Sequence, residues 1–350
     1  MIWLTWRQAR VQAIVMASIL AAFGLALLIT GPHLVTLYRQ SSFAACRSNC
    51  SGQAGNFLNQ LATTMPYHLI YLLGALLIVL LPAVIGLFWG APLIARELET
   101  GTFRLAWNQS VTREHWLAVK LGVLGLTSMA LAGLLSLILG WWASPIDQAA
   151  DIQGAGGFQS RFFPLDFGTR GIAPIGYAAF AFALGVLVGL MIRRTVPAMA
   201  VTFAAILAVQ IVFPLAIRPH LIAPVRVTSS VTAAAIDGLS TNQNGTNVQV
   251  EAQSPNIPGA WVYSSDVVNQ AGSTNLGTLP SSCPGPNGGG NGGSPQECFQ
   301  ALAAKHLKEV TVYQPANRYW TFQAVEFGIY LTAALLLAWA CFWWTRRRLS

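Results

Sequence analysis

Charge is what this chain has least of. Only 9% of its 350 residues are charged, while 54% are hydrophobic; a soluble domain carries roughly 25% charged residues. With a mean hydropathy of +0.53, that scarcity excludes an ordinary soluble globule and predicts an integral membrane protein. Lysine is scarcer still, being confined to Lys120, Lys305 and Lys308. None of the three follows a G-x-x-x-x-G-K-[ST] phosphate loop, which removes that route to ATP hydrolysis. The net charge of +8 is scattered over the ends of apolar runs, with no basic stripe interleaved with aromatics, so nucleic acid is excluded as a partner. The serines and histidines of the polar segments form no Ser-His-Asp pattern. His33, His68, His220 and His306 are unaccompanied by C-x-x-C spacing, which speaks against a metal centre. Ionisable groups inside apolar runs reduce to Lys120 and Glu326. Glu326 falls in the first turns of its run and reads as a helix-dipole partner rather than a proton carrier.

What the chain has in quantity is apolar length. Six runs reach the roughly 20 residues a bilayer-crossing helix needs: Val11–Thr30, Tyr67–Gly90, Trp116–Trp142, Ile172–Ile192, Val196–Ile217 and Thr321–Trp344. The fourth and fifth are separated only by Arg193-Arg194-Thr195 and predict a tight helical hairpin. With the N-terminus inside, the inner segments hold eleven of the twenty Lys and Arg residues, and the other nine are spread over much longer outer segments. The bias of basic residues toward short inner segments places both termini in the cytoplasm. In Met1 to Arg10, Ile2, Trp3 and Trp6 are expected to face lipid while Arg7 and Arg10 face water or headgroups, which suits a short interfacial helix. The first span is too long for a signal-peptide core and is expected to stay. Cys46, Cys50, Cys283 and Cys298 all fall in outer segments, and Cys341 lies inside the last span. Four cysteines on the oxidising side predict disulfides. Four cysteines allow three pairings; local spacing favours Cys46–Cys50 and Cys283–Cys298.

Between the second and third spans lies Gly90 to Lys120, a polar segment clamped at both ends. Its charges are of mixed sign: Arg96, Glu97, Glu99, Arg104, Arg113, Glu114 and Lys120. It reads as two short helices, with Pro92 in the first turn of one, Gly101 as its stop, and Ser110 or Thr112 capping the next. Phe103, Leu105 and Trp107 are apolar residues that a merely solvated loop has no need of. The pattern Glu97-x-Glu99-x-Gly101-Thr102, followed by Asn108-Gln109-Ser110, Thr112-Arg113 and Trp116, resembles the membrane subunit of bacterial ABC-2 type transporters. A second echo is Tyr313-Gln314-Pro315-Ala316, Arg318-Tyr319-Trp320, Gln323 and Glu326 ahead of the last span.

The resemblance implies an all-α membrane protein with six transmembrane helices, type V exporter-like, with a mixed, loop-rich extracellular domain between the fifth and sixth. It divides the chain into an interfacial helix at 1–10, spans one to five at 11–217 with a coupling segment at 91–116, an extracellular domain at 218–320, and the sixth span with a cytoplasmic tail at 321–350. It further implies a permease of the bacterial plasma membrane, embedded in the lipid bilayer, that exports amphipathic small molecules, drugs, peptides or lipids. The chain would hold no cofactor, ATP and Mg being bound by two copies of a separate cytoplasmic ATPase. A second permease copy or a related permease would complete the path, along the small-residue faces of the second and fifth spans. Arg96, Glu97, Glu99, Gly101, Thr102 and Arg104 would contact the ATPase. The rival readings are a membrane-anchored extracellular binding protein, for which six spans are more than an anchor requires, and a membrane-embedded enzyme, which lacks a polar catalytic cluster. Within 218–320, Val/Thr alternation over Val225 to Val250 and the Trp261-Val262-Tyr263 triplet predict strands. Gly285 to Gly293 reads as a flexible tip, and Pro295 to Leu307 as a helix.

Overall fold

The computed structural model describes residues 2–101, 112–233, 236–241, 248–252, 257–275, 283 and 294–348. Thr102, Arg104, the apolar residues between them and Trp107, and the glycine-rich 285–293 lie outside these described residues. The chain divides into a unit formed by Met1–Ile222 with Asn317–Ser350 and a second formed by Ala223–Ala316.

The first unit is helical. Six of its helical stretches are long and apolar enough to cross a membrane: Ile14–Gln40, Tyr67–Thr100, Arg113–Ile152, Ala173–Ile192, Thr195–His220 and Ala316–Arg347. They belong to helices α1 (Ile2–Gln40), α3 (Tyr67–Val84) continued by α4 (Ala91–Thr100), α5 (Arg113–Ile152), α6 (Ala173–Ile192), α7 (Thr195–Val212) and α9 (Tyr319–Arg348). A shorter α2 (Ser51–Thr63) follows α1, and the Cys46–Cys50 disulfide closes the turn between them.

Several elements outrun the lengths expected from their apolar runs. Helix α1 is unbroken from Ile2 through Pro32 to Gln40, so no break separates residues 1–10 from the first span. Helix α5 passes through Pro145 and ends at Ile152, ten residues beyond the expected Trp142. A proline inside a membrane helix forfeits a backbone bond that neighbours can compensate, and Pro145, Ile146 and Ala149 are buried there. The second span does not stop at Gly90. It passes through a π-helical stretch at Ile85–Gly90, three residues after Pro82, and continues into α4. The fifth span has a similar ending, with Pro214 inside a π-helical stretch at Phe213–Ile217.

Helix α6 is the centre of this unit. It is apolar on every face, as a helix enclosed by other helices must be, and twelve of its twenty residues are buried. Its Gly185-x-x-x-Gly189 pair meets Gly86-x-x-x-Gly90 of the second span. A Cβ built on Gly185 would lie 2.5 Å from the Gly86 carbonyl oxygen and 2.8 Å from the Ala91 nitrogen; one on Gly90 would lie 2.7 Å from the Phe182 carbonyl oxygen. Small residues allow such backbone-to-backbone approach, which drives helix association in membranes. The hairpin between α6 and α7 closes at Arg193, which takes a left-handed conformation at φ 58°.

The second unit combines a three-stranded antiparallel sheet and a hairpin. Strands β1 (Val225–Ser230), β5 (Lys308–Gln314) and β4 (Trp261–Val268) lie in the order β1-β5-β4, and β2 (Ile236–Thr241) pairs with β3 (Val248–Ala252). Helix α8 (Pro295–Ala303) starts with a capping box, Ser294 and Glu297 each bonding the other's backbone N–H, which satisfies two orphan donors. Val231, Ile236, Val250, Val267, Leu302 and Leu307 gather around the Cys283–Cys298 disulfide as a small core.

Candidate functional site

Of the predicted coupling residues, Arg96, Glu97, Glu99 and Gly101 lie at one end of the helical unit. Helix α4 ends where the sequence places its stop: Gly101 caps it at φ +73°, a left-handed conformation that glycine adopts without steric cost. Thr112 then caps α5, its Oγ1 accepting from the His115 backbone N–H at 3.2 Å.

The two glutamates of α4 are used within the chain. Glu97 is buried, and its Oε1 lies 2.5 Å from Lys120 Nζ of α5. The Lys120 ammonium also sits over the Trp116 ring, 4.6 Å from its centroid. Glu99 is exposed and turned toward α7: its Oε2 accepts from the Thr195 backbone N–H at 2.9 Å and from Thr195 Oγ1 at 2.7 Å. It thereby supplies a carboxylate to the first turn of α7, where a helix favours negative charge. Arg96 is exposed on the remaining face. One short helix therefore holds three others: α5 through Glu97, α7 through Glu99, and α6 through the glycine crossing. At the same end, Arg346 Nε of α9 donates to Glu114 Oε1 of α5 at 2.8 Å, an exposed pair that solvent screens.

The opposite end carries a buried polar network. Arg218, in the single 3₁₀ turn after α7, makes a two-pronged ion pair with Glu326 of α9, Nε to Oε2 and Nη2 to Oε1, both at 2.9 Å. Its Nη1 donates to the Pro164 carbonyl at 2.9 Å, and its guanidinium lies over Phe167, 4.3 Å from the ring centroid. The Tyr177 hydroxyl of α6 donates to Glu326. Glu326 is thus an ion-pair partner, not the helix-dipole partner its position predicts. Gln323, one turn earlier, is a satisfied buried amide. Its Oε1 accepts from the Ile172 and Ala173 backbone at 3.1 and 2.8 Å, and its Nε2 donates to the Phe167 and Arg170 carbonyls, both at 3.0 Å. It pins α9 to the start of α6.

A second pair stands beside it, Arg170 Nε donating to Asp147 Oδ2 at 2.7 Å. Tyr71 Oη donates to Asp166 Oδ1 at 2.8 Å. Burial pushes the Asp166 carboxyl above the usual carboxylate range, opposed by Arg170 and by the Tyr71 bond. Burial works against the Arg170 charge, but Asp147 beside it holds the guanidinium above its ordinary value.

Arg218 and Asp147 were not singled out from the sequence. The available signal was an arginine directly after an apolar run whose only ionisable counterpart, Glu326, sits in another run; intramembrane charges are rare and usually paired. Arg218, Glu326 and Tyr177 saturate one another, whereas Asp147 Oδ1 and Arg170 Nη2 have no hydrogen-bond partner among the described residues; both pairs join separate segments of the helical unit.

The small residues of the second span are consumed inside the chain. Gly74 faces Leu139 and Phe23, Gly86 faces Ala181 and Ile206, and Gly90 faces Phe182. The faces left open on the second and fifth spans carry large apolar side chains, Leu72, Leu76 and Leu80 on one and Val201, Phe203 and Ile211 on the other.

Searches against curated proteins and against solved structures return no significant match. The family model described as "ABC-2 membrane transporter related" matches residues 17–218, more than half of the chain and five of its six apolar stretches. With six helices able to cross a membrane and a clamped polar turn between the second and third, the chain is a multi-pass membrane protein that belongs to the ABC-2 membrane transporter related family.

Proposed function

We propose that the chain is the membrane-spanning subunit of an ATP-driven exporter in a bacterial plasma membrane, moving amphipathic small molecules, peptides or lipids outward. Two copies of a separate cytoplasmic ATPase bind ATP and Mg and press on the turn at Gly101. A second permease copy, or a related one, completes the path between the open faces of the second and fifth spans. Both termini and the Gly101 turn face the cytoplasm, and Ala223–Ala316 faces outward.

The observation that carries this reading is the way α4 is tied. A force applied at Gly101 acts on a helix continuous with the second span and fastened to α5 and α7. It acts at the same time on α6, through glycines with no side chain to yield. Glu97 and Glu99 then serve coupling by fastening α4, while Arg96, exposed on α4, meets the ATPase together with Thr102 and Arg104. A membrane-anchored binding protein would have no use for such a lever.

The test is at Gly101. Among the described residues a Cβ there would meet nothing within 4 Å, so the strain of a substitution lies in the left-handed backbone. Valine pays roughly 1–2 kcal/mol or more in a left-handed conformation, whereas asparagine tolerates it. Gly101→Val is expected to reach the membrane yet lose substrate-stimulated ATP turnover and retention of the co-expressed ATPase, and Gly101→Asn to keep both. Arg96→Glu is expected to weaken ATPase retention without altering melting. Reversing Glu97 is not a clean test, since an arginine there would face Lys120 in a buried site. If Gly101→Val and Arg96→Glu both behave as wild type, the coupling assignment is wrong.

A further inference from the structure

A cavity of about 450 Å³ opens between the second, fourth, fifth and sixth spans at the Arg218 end. That volume falls in the range of sites that enclose a small ligand, about 300–1,000 Å³. Its depth is set by Pro82, Ala181 and Ile206, and Tyr330 forms one wall. The polar side chains that border it are already engaged. Each of the three Arg218 nitrogens has a partner, as do both Glu326 oxygens and the Tyr177 hydroxyl. Gln210 Nε2 donates to the Val79 carbonyl at 2.7 Å. A charged ligand would find no unpaired counter-charge, and water, which needs two to four polar partners, would find few.

The rim decides what enters. Ile211 and Leu215 are 59% and 69% exposed, and Val79 is 40% exposed. All three are apolar and lie in stretches that cross the membrane, so this side of the mouth opens into hydrocarbon, while Phe163, 40% exposed, and Pro164 border the cavity from the segment before the fourth span. An apolar void in hydrocarbon forfeits dispersion contacts unless apolar matter fills it.

We infer that this cavity binds one acyl chain of a bilayer phospholipid, which wedges between the second span at Pro82 and the π-helical end of the fifth. Occupancy would press on the π-helical end of the fifth span, where Pro214 and Leu215 line the cavity. The inference needs no ATPase, but it shares Ile211 with the open face of the fifth span assigned above to the path, so it applies to the chain with that face toward lipid.

The experiment reconstitutes the full chain into phosphatidylcholine–phosphatidylglycerol vesicles containing a phospholipid with a photoreactive diazirine near the end of one acyl chain. Adducts are mapped by peptide mass spectrometry. Ile206 and Tyr330, 2% and 6% exposed, are expected to carry adducts, because a chain reaches them only from inside the cavity. Ile19 and Leu28 of α1, 50% and 55% exposed, report ordinary contact with the bilayer. Val209→Trp, which fills the cavity, should cut the Ile206 and Tyr330 adducts roughly tenfold, one decade in occupancy, and leave the α1 adducts unchanged. Val79→Trp, at the rim, guards against a filled variant that fails to fold and should have the same effect. Adducts confined to α1, or cavity adducts that neither variant lowers, would overturn the inference. So would labelling of the cavity by a soluble single-chain amphiphile but not by the phospholipid.

Discussion

Arg218 and Glu326 show how a nearly charge-free chain uses the charges it has. Taking a guanidinium and a carboxylate out of water costs several kcal/mol per ion, repaid only when geometry and hydrogen bonds are complete. Here they are complete, with a two-pronged pair, the Pro164 carbonyl and the Tyr177 hydroxyl. Removing one partner strands the other, so Arg218→Met and Glu326→Leu should each destabilise the helical unit by about 3–5 kcal/mol. The double variant has no stranded charge and should lose much less than the sum, a non-additivity that marks direct interaction. Melting of the four proteins in one detergent measures this. Additive losses would mean that the pair is incidental. The Glu97–Lys120 pair is less complete, since Glu97 Oε2 accepts no hydrogen bond among the described residues, and a smaller non-additivity is expected there.

At the scale of elements, the crossing of the second span with α6 is what makes α4 a lever. Gly185→Leu would push a side chain into the Gly86 carbonyl and the Ala91 nitrogen, backbone atoms that cannot turn aside, and overpacking of this kind costs about 1–3 kcal/mol or more. Gly122→Leu and Gly140→Leu on α5 meet nothing within 4 Å and should be neutral, or stabilising by the better helix propensity of leucine, under about 1 kcal/mol each. Equal melting of all three variants would refute a tight crossing. The crossing was legible in principle, because Gly86-x-x-x-Gly90 and Gly185-x-x-x-Gly189 stand in the sequence as two small-x-x-x-small pairs. The six spans, the α6–α7 hairpin, the Gly101 stop and the two disulfide pairings were legible from run length, turn chemistry and local spacing. The long ends of α1 and α5 were not, since proline and polar residues end a helix by local rules; packing covers Pro145, while α1 continues through an exposed Pro32. The inward turn of Glu97 was equally hidden, because its partner Lys120 lies beyond the next cap. Strand β5 was missed because its pairing with β1 and β4 spans long sequence distances.

For the whole molecule the open question is which way the bundle faces. Physical arguments of two kinds point the same way. The short segments at the Gly101 end are rich in arginine, as cytoplasmic segments are. Both disulfides join cysteines of the other segments, and disulfides persist on the oxidising side of a membrane. Single cysteines decide between the orientations. The turn at Asn269–Ser273 is exposed, Asn269 Oδ1 accepting from the Ala271 and Ser273 backbone N–H groups, so Ala271→Cys offers a thiol in the second unit. Arg96→Cys offers one on the open face of α4. Cys341 is buried and should stay silent, leaving the wild-type chain as the blank. A membrane-impermeant maleimide applied to intact cells should label Ala271→Cys and spare Arg96→Cys, and both should react once the membrane is broken. The reverse pattern would turn the bundle over and remove the Gly101 turn from the reach of any cytoplasmic ATPase. Labelling of both in intact cells would mean that one of these segments is not fixed to its side of the membrane, and the lever would then have nothing to push against.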